Sequence, residues 1–168
     1  MKLQKVAVTT VLSTLLVFGG VTSANAQNPW IGMDRGAEIA QKRMNGAIPL
    51  EVEFDTVNGQ QAYEIGFADG TEVYVARRTG DILRIGQDSP SSDARATERL
   101  AAQTPDRVSF LTAALTAKEA GGGARMMEVE LEREDGQLMY EVDLAGDIYV
   151  YIWAVSGEVY EVEHDNWD

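Results

Sequence analysis

One segment of this chain occurs twice, and that internal repeat constrains the fold more than any other feature. Sliding the sequence along itself until Glu51 meets Glu128 gives an alignment without a gap. Turn residues then meet turn residues, and apolar residues meet apolar residues. Such a repeat indicates a duplicated structural unit, so we expect two copies of one module. The matched segments are Glu51-Val52-Glu53 with Glu128-Val129-Glu130, Tyr63-Glu64 with Tyr140-Glu141, Val73-Tyr74 with Val150-Tyr151, and Gly80 with Gly157.

The second copy has the residue alternation of an antiparallel sheet. Successive side chains of a strand point to opposite faces, so apolar residues at every second position predict one buried face. Turn segments at 134–136, 145–147 and 155–158 separate the runs, which predicts a meander with a fourth strand over 159–163. The apolar positions of the first three runs are Met127, Val129, Leu131, Leu138, Tyr140, Val142, Leu144, Ile148, Val150 and Ile152.

A helix is predicted before the strands of the second copy. Residues 104–106 are Thr-Pro-Asp, which combine an N-cap hydroxyl, a first-turn proline and a first-turn acid. Val108, Leu111 and Leu115 then recur at helical spacing, with Ala114 and Ala117 beside them, and this stripe would face the sheet. Three glycines at 121–123 are typical of a helix end.

The first copy has the same plan. Asp34 is a candidate N-cap, and Ala37, Ala40 and Met44 form a narrow apolar stripe. Asn45-Gly46 would close the helix. We therefore expect an α+β fold of two repeated modules, each with one helix packed on a three- to four-stranded antiparallel sheet.

The first 26 residues have the features of a secretory signal peptide. Lys2 and Lys5 give a basic start, residues 6–21 are apolar and uncharged, and residues 24–26 form an A-x-A cleavage site. The alternative is a membrane anchor, but the run over 6–21, diluted by threonine and glycine, is short for a span of about 20 residues. We predict cleavage after Ala26 and a periplasmic or secreted protein without membrane attachment after cleavage.

Composition divides the rest of the chain into three parts. Residues 27–86 and 104–168 hold the two modules. Residues 87–103 form a linker, because the segment after Gly86 is polar and contains Pro90 between serines. Within that linker, residues 93–103 have the pattern of a short helix with Leu100 as its one large apolar residue.

Charge and cysteine usage exclude several classes of function. The formal net charge is −13, and it becomes −15 when Lys2 and Lys5 are removed. Such a chain repels nucleic acid and anionic lipid and favours basic partners or cations, so nucleic acid is not an expected partner. The sequence has no cysteine, so export is compatible with the fold but no disulfide contributes to it.

Catalytic motifs are missing from the sequence. The single histidine, His164, stands near the chain end, and no G-x-S-x-G, H-E-x-x-H or Gly-rich phosphate motif occurs. The acidic tail 161–168 offers oxygen ligands and one imidazole, but it lacks the pattern of a calcium loop and one histidine is few for zinc or copper. We therefore expect no enzyme activity, no cofactor and no dedicated metal site.

The order and spacing of these motifs resemble the PepSY domain. The resemblance implies a secreted or membrane-attached protein, since the family includes propeptides of thermolysin-like metallopeptidases, and it implies a role in restraining peptidase activity. The family often has an aspartate before the T-G turn, where this chain has Arg77-Arg78 and Ala154-Val155, so no role of that acid is carried over. The resemblance is carried by 51–53, Gly59, 63–65, 73–75 and 79–82 in the first copy, and by 128–130, Gly136, 140–142, 150–152 and 156–159 in the second.

The side of the second sheet opposite the helix is the candidate functional surface. Acids beside exposed aromatic rings suit a basic or extended polypeptide, because rings supply contact area and acids select charge. Two plainer alternatives stay open at this point. The acids could be an ordinary solvated face, and the rings could be buried where the modules meet. The candidate partner-binding residues are Glu128, Glu130, Glu141, Asp143, Tyr149, Tyr151 and Trp153.

These observations predict an exported, non-enzymatic protein-binding module that inhibits or regulates an exported peptidase. The first alternative is a cation-binding or envelope-stress accessory protein that uses its acidic surface. The second is a structural envelope protein that associates with itself through its sheet edges. Tyr63 and Tyr140 match between the copies, and we expect both to be core residues rather than functional ones.

Overall fold

The computed structural model describes residues 30–164, which form an α+β fold. The predicted signal peptide and residues 165–168 lie outside the described part. Within residues 30–164, no helix is long and apolar enough to cross a membrane. The elements are α1 (Met33–Arg43), β1 (Pro49–Val57), β2 (Gln60–Phe67), β3 (Thr71–Ala76), β4 (Ile82–Gln87), α2 (Ala94–Gln103), α3 (Phe110–Ala120), β5 (Met126–Glu134), β6 (Gln137–Leu144), β7 (Ile148–Trp153) and β8 (Val159–His164).

The strands form one continuous antiparallel sheet rather than the two separate sheets that the sequence predicts. Their order is β4-β3-β2-β1-β5-β6-β7-β8, so β1 and β5 join the two halves at the centre. Glu51, Val52 and Glu53 pair there with Glu130, Val129 and Glu128. Pairing at this position removes one exposed strand edge from each half, which a pair of separate sheets would leave open.

Each element of the first half recurs in the second with bounds that match the repeat, from α1 with α3 to β4 with β8. The hydrogen bonds recur as well. The Tyr63 hydroxyl donates to the Ile31 carbonyl at 2.9 Å, and the Tyr140 hydroxyl donates to the Val108 carbonyl at 2.6 Å. Both tyrosines are buried, as expected for core residues.

All three helices of the described chain pack against one side of the sheet. Helix α1 contacts β1, β2 and β3, and α3 contacts β5, β6 and β7. Helix α2, predicted as a short linker helix, packs over β5, β6 and β1 and so covers the junction between the halves. The predicted core face is confirmed, because Val129, Leu131, Leu138, Tyr140, Val142, Leu144, Val150 and Ile152 are all buried there.

The predicted start of the helix in the second copy was wrong. Helix α3 begins at Phe110, and its N-cap is Ser109, whose hydroxyl oxygen accepts from the Thr112 amide at 3.2 Å. The preceding segment is held out of the helix because the Val108 amide donates to the Ala154 carbonyl at 2.8 Å. Arg107 bonds back to the carbonyl oxygens of α2 and the following residue, Ala101 and Thr104.

The predicted apolar stripe of α3 was right for Ala114 and Ala117, which are buried, and wrong for its two leucines. Leu111 and Leu115 are 39% and 59% exposed. The buried side is made by Phe110, Ala113, Ala114 and Ala117, because small side chains let the helix backbone approach the sheet closely. In the first half, Ala37 and Ala40 are buried as predicted, and Met44 is partly buried.

Asp34 does not cap its own helix. The N-cap of α1 is Gly32, without a side-chain hydrogen bond. The Asp34 carboxylate instead accepts from the Leu111 amide at 2.9 Å, which satisfies a free amide in the first turn of α3. Asp34 therefore connects the two helices rather than beginning one of them.

The predicted turns are confirmed, and one strand start differs. Asn58-Gly59 and Asp135-Gly136 have positive φ at both positions, as two-residue hairpins of matching twist require. At the start of β5 the pairing register shifts between Met126 and Glu128. Met126 is therefore buried in the core, where the alternation had placed Met127.

Candidate functional site

The side of the sheet without helices carries two rows of side chains that cross all eight strands. Because paired residues of adjacent strands lie side by side on one face, the register identifies each row. We call this side the acidic face. One row is Gly86, Glu72, Gly66, Glu51, Glu130, Glu141, Tyr151 and Glu161, and the other is Arg84, Tyr74, Glu64, Glu53, Glu128, Asp143, Tyr149 and Glu163.

Almost no positive charge balances these carboxylates. Among the strand residues of the described chain, only Arg84 and Arg133 are arginine or lysine, and Arg133 is in register with Leu138 of the core face. The ion pairs of the described chain include one on the acidic face, in which Arg84 Nη2 lies 4.0 Å from Glu72 Oε2. The negative charge of the central and second-half parts of the face is therefore not balanced by any strand arginine or lysine of the described chain.

The carboxyl groups of Glu51 and Glu128 lie close together at the junction of the halves. Burial is the largest cause that raises the pKa of Glu51 to about 7 and of Glu128 to about 8. The two side chains hydrogen-bond to each other, which lowers the pKa of Glu51 and raises that of Glu128. Oxygen atoms of Glu51, Glu53 and Glu128 lie within 4.8 Å of one another.

The carboxyls around this pair are shifted in the same direction. Burial, assisted by neighbouring carboxylates, raises the pKa of Glu64, Glu130 and Glu141 to about 7 each. Burial also raises the pKa of Glu132 and Asp143. Near neutral pH the acidic face is therefore partly protonated, and a cation bound there would favour release of those protons.

A groove of about 420 Å³ lies on the second-half end of the acidic face. The Trp153 and Tyr160 rings meet edge to face on one side of it, with centroids 5.0 Å apart. Tyr151 also lines the groove, and burial followed by nearby carboxylates raises its pKa to about 12. The acidic lining residues include Glu132, Glu141, Glu161 and Glu163.

All seven predicted partner-binding residues lie on the acidic face, and the structure separates them into two places. Glu141, Tyr151 and Trp153 line the groove, while Glu128 lies at the central junction beside Glu51. The rings are not buried where the halves meet, because β6 separates β7 from β5 and from the junction. The plainer alternative for the aromatic rings was therefore wrong.

Several residues of the acidic face could not be assigned from the second copy alone. Glu51 and Glu53 join the central cluster because β1 pairs with β5, and the sequence contains no signal for that pairing. Tyr160 reaches Trp153 beside a register shift between β7 and β8, which alternation does not reveal. Glu161 and Glu163 did carry a signal, since they continue the period of two along β8.

At the first-half end of the acidic face, Arg84 stacks on the Tyr74 ring. The Arg84 guanidinium carbon lies 3.8 Å from the centroid of the Tyr74 ring. The Tyr74 hydroxyl donates to Glu72 Oε2 at 2.7 Å, and Glu64 also hydrogen-bonds to Tyr74. Tyr74 is only 3% exposed. Arginine, tyrosine and two glutamates thus form one compact group.

Comparisons with known proteins agree with this fold. The family model of the PepSY domain, described as the peptidase propeptide and YPEB domain, matches residues 37–85. No curated protein matches the chain in sequence. The crystal structure of a candidate lipoprotein from Clostridium difficile 630 has a similar fold, with a TM-score of 0.52 and 17% sequence identity over 75% of this chain and 88% of that chain. The segment that matches the PepSY model, residues 37–85, runs from α1 into β4.

Proposed function

We propose that this chain is an exported, non-enzymatic protein-binding module whose acidic face holds a basic, extended segment of an exported protein. The observation that carries the proposal is the pair of carboxylate rows, which have Arg84 as their one basic member among the described residues. A surface of one charge sign steers and selects a partner of the opposite sign. The rings at the groove add contact area at low entropic cost.

A peptidase is the partner class that the family favours. The matching model is described as a peptidase propeptide and YPEB domain, and the resemblance implies a role in restraining peptidase activity. Inhibition or regulation of an exported peptidase is therefore the proposed role. The proposed location is periplasmic or secreted, and it rests on the predicted signal peptide.

We also propose that residues 104–168 are a second copy of the PepSY module of residues 27–86, joined by residues 87–103. The support is the recurrence of the element bounds and of the tyrosine hydrogen bonds in the second half. Superposition of the halves in an experimental structure tests this proposal. A poor fit of α3–β8 on α1–β4 would contradict it.

Affinity capture tests the proposed function. Immobilised residues 27–168 should retain an exported protein with a basic segment, and the double substitution Glu128→Gln with Glu130→Gln should weaken that retention. Asp106→Asn with Glu119→Gln removes the same charge from the helix side of the molecule and is the matched control. Equal retention by all three proteins would contradict a role for the acidic face.

A second pair of substitutions tests the aromatic part of the face. Tyr151→Ala with Trp153→Ala should leave the fold intact, because both rings lie on the helix-free side and are partly exposed. Retention of the partner should be lost. If circular dichroism shows that this double variant is unfolded, the rings are structural and the aromatic part of the proposal is wrong.

Cation binding is the second candidate function, favoured by the close approach of Glu51, Glu53 and Glu128 oxygen atoms. Carboxylate oxygens are the ligands that calcium prefers. A cation that binds the native state raises the melting temperature by mass action. An unchanged melting temperature with millimolar calcium, zinc or copper would remove this candidate.

A further inference from the structure

One line of residues on the acidic face is equivalent in the two halves except at its outer end. Read from the edge towards the centre, the first half presents Arg84, Tyr74, Glu64 and Glu53. The repeat places Glu161, Tyr151, Glu141 and Glu130 at the corresponding positions of the second half. Tyrosine matches tyrosine and glutamate matches glutamate. Within this line only the edge residue changes, from arginine to glutamate.

In the first half that edge arginine completes a binding arrangement. Its guanidinium lies over the Tyr74 ring at 3.8 Å from the centroid, and Nη2 lies 4.0 Å from Glu72 Oε2. A guanidinium over an aromatic face is attracted by the ring's negative potential, and the adjacent carboxylate adds a charge pair. Arg84 thus shows that a tyrosine flanked by glutamates on this face can bind a guanidinium group.

Among the described residues of the second half, Tyr151 and Glu141 lack that cation, and Tyr149 takes the place of Glu72, the carboxylate that pairs with Arg84. Tyr151 is partly exposed where Tyr74 is 3% exposed, and it faces the groove of about 420 Å³. Glu141 lies beside Tyr151 on β6, as Glu64 lies beside Tyr74 on β2. On β8, Glu161 occupies the position of Arg84 and adds negative charge instead of removing it.

We propose that the groove beside Tyr151 binds an arginine side chain of the partner polypeptide, in the way that Arg84 occupies the equivalent place in the first half. The proposal rests on the proposed function and specifies its recognition chemistry. The incoming guanidinium stacks on Tyr151 and pairs with Glu141 and Glu161. Trp153 and Tyr160 border the stem of the side chain.

Arginine is preferred over lysine at such a place. The guanidinium is planar, so it can stack on a ring and direct several N–H groups to carboxylates at the same time. A lysine ammonium carries the same charge but cannot stack in this way, and it is more strongly hydrated. A site that recognised charge alone would bind arginine and lysine equally well. A difference in affinity between the two side chains therefore tests the groove.

Fluorescence anisotropy with two labelled peptides tests the proposal. One peptide repeats arginine and glycine, and the other is identical with lysine in place of arginine. Residues 27–168 should bind the arginine peptide about threefold to fivefold more tightly, as expected from a cation–π contact. The preference should disappear in Tyr151→Leu, which keeps an apolar side chain on the strand but removes the ring.

A second variant places an arginine of the protein itself at the groove. Glu161→Arg places in the second half the residue that the first half already accommodates, so the fold should be retained and affinity for the arginine peptide should fall about tenfold. Glu119→Arg, on the exposed side of α3, changes the net charge equally and should reduce binding far less.

The outcomes separate this inference from the proposed function. If the wild-type protein binds both peptides equally and Glu161→Arg behaves like Glu119→Arg, the arginine groove is wrong while the acidic face still binds basic segments. If the wild-type protein binds neither peptide at low salt, both proposals are wrong. The groove is supported if the arginine preference disappears in Tyr151→Leu and if affinity for the arginine peptide falls far more in Glu161→Arg than in Glu119→Arg.

Discussion

Val52 and Val129 lie opposite each other across β1 and β5, and they are also equivalent residues of the internal repeat. The ladder around them therefore has a local two-fold relation, in which Glu51 faces Glu130 and Glu53 faces Glu128. Buried valines support the ladder on the core side. On the other side four glutamates meet at the centre of the sheet, so the junction of the halves also brings their carboxyl groups together.

We predict that the free energy of unfolding decreases as the pH rises from about 5 to about 8. The pKa values of Glu51, Glu64, Glu128, Glu130 and Glu141 are raised to about 7 or 8 in the folded protein, against an ordinary value of 4.5. The folded state therefore holds more protons than the unfolded state in this range, and its added stability is lost as the pH passes through 7 to 8.

Urea unfolding of residues 27–168 at several pH values measures this decrease. These groups are partly exposed and solvent screens them, so we expect a loss of about 2 kcal/mol rather than the larger sum of the separate shifts. Added salt should reduce the loss, because it screens repulsion between carboxylates. A free energy of unfolding that is constant or increases from pH 5 to pH 8 would show that the carboxyls are not perturbed.

Glu128→Gln should stabilise the protein at pH 8 and weaken its pH dependence. Glutamine can keep a hydrogen bond to the Glu51 carboxylate, while it removes the charge that burial and Glu51 disfavour. We expect a gain of about 1 kcal/mol at pH 8 and almost none at pH 5. Glu119→Gln, on the exposed surface of α3, is the control. An equal gain at both pH values would indicate a cause other than ionisation.

The face of the sheet to which each side chain points could be predicted from the sequence, because successive side chains of a pleated strand alternate between the two faces. Val129, Tyr140 and Val150 are buried as expected, whereas Met127 and Ile148 are only partly buried. The joining of the sheets could not be predicted. The pairing of β1 with β5 is made through backbone groups that every residue possesses, so the alternation of side chains does not reveal it.

The helix boundaries were predicted less well, for a local reason. Thr104-Pro105-Asp106 has the composition of a helix start, but hydrogen bonds from Val108 to the sheet determine where α3 begins. The same limit applies to the site. The acids and rings were visible in the sequence, whereas the groove depends on Tyr160, which reaches Trp153 next to a register shift. Tertiary pairing, rather than local propensity, decides both features.

Tyr140→Phe should lower the free energy of unfolding by about 1 to 2 kcal/mol. The hydroxyl donates to the Val108 carbonyl at 2.6 Å, and Tyr140 is fully buried, so its removal leaves that acceptor without a partner. Tyr63→Phe removes the equivalent bond to Ile31 and serves as the matched variant. Chemical denaturation compares the two, and no effect in either would contradict a structural role for these hydroxyls.

Gly36→Ala should destabilise the protein, although alanine is the better helix former. An added Cβ would lie 2.7 Å from Cδ2 and 3.3 Å from Cγ of the buried Tyr63 ring. Tyr63 is held at its other end by its hydroxyl bond to Ile31, so the ring has little freedom to move. We expect a loss of about 1 to 3 kcal/mol from overpacking, which exceeds the gain of about 1 kcal/mol in helix propensity.

The second half provides the control for this substitution. The equivalent of Gly36 in the second copy is Ala113, which is fully buried without displacing the equivalent Tyr140. Ala113→Gly should therefore also destabilise, because it removes a packed methyl group and lowers helix propensity. Opposite substitutions at equivalent positions would then both be harmful. If Gly36→Ala instead raises the midpoint of urea unfolding, helix α1 can move away from the sheet, and the close packing against Tyr63 does not limit the residue at this position.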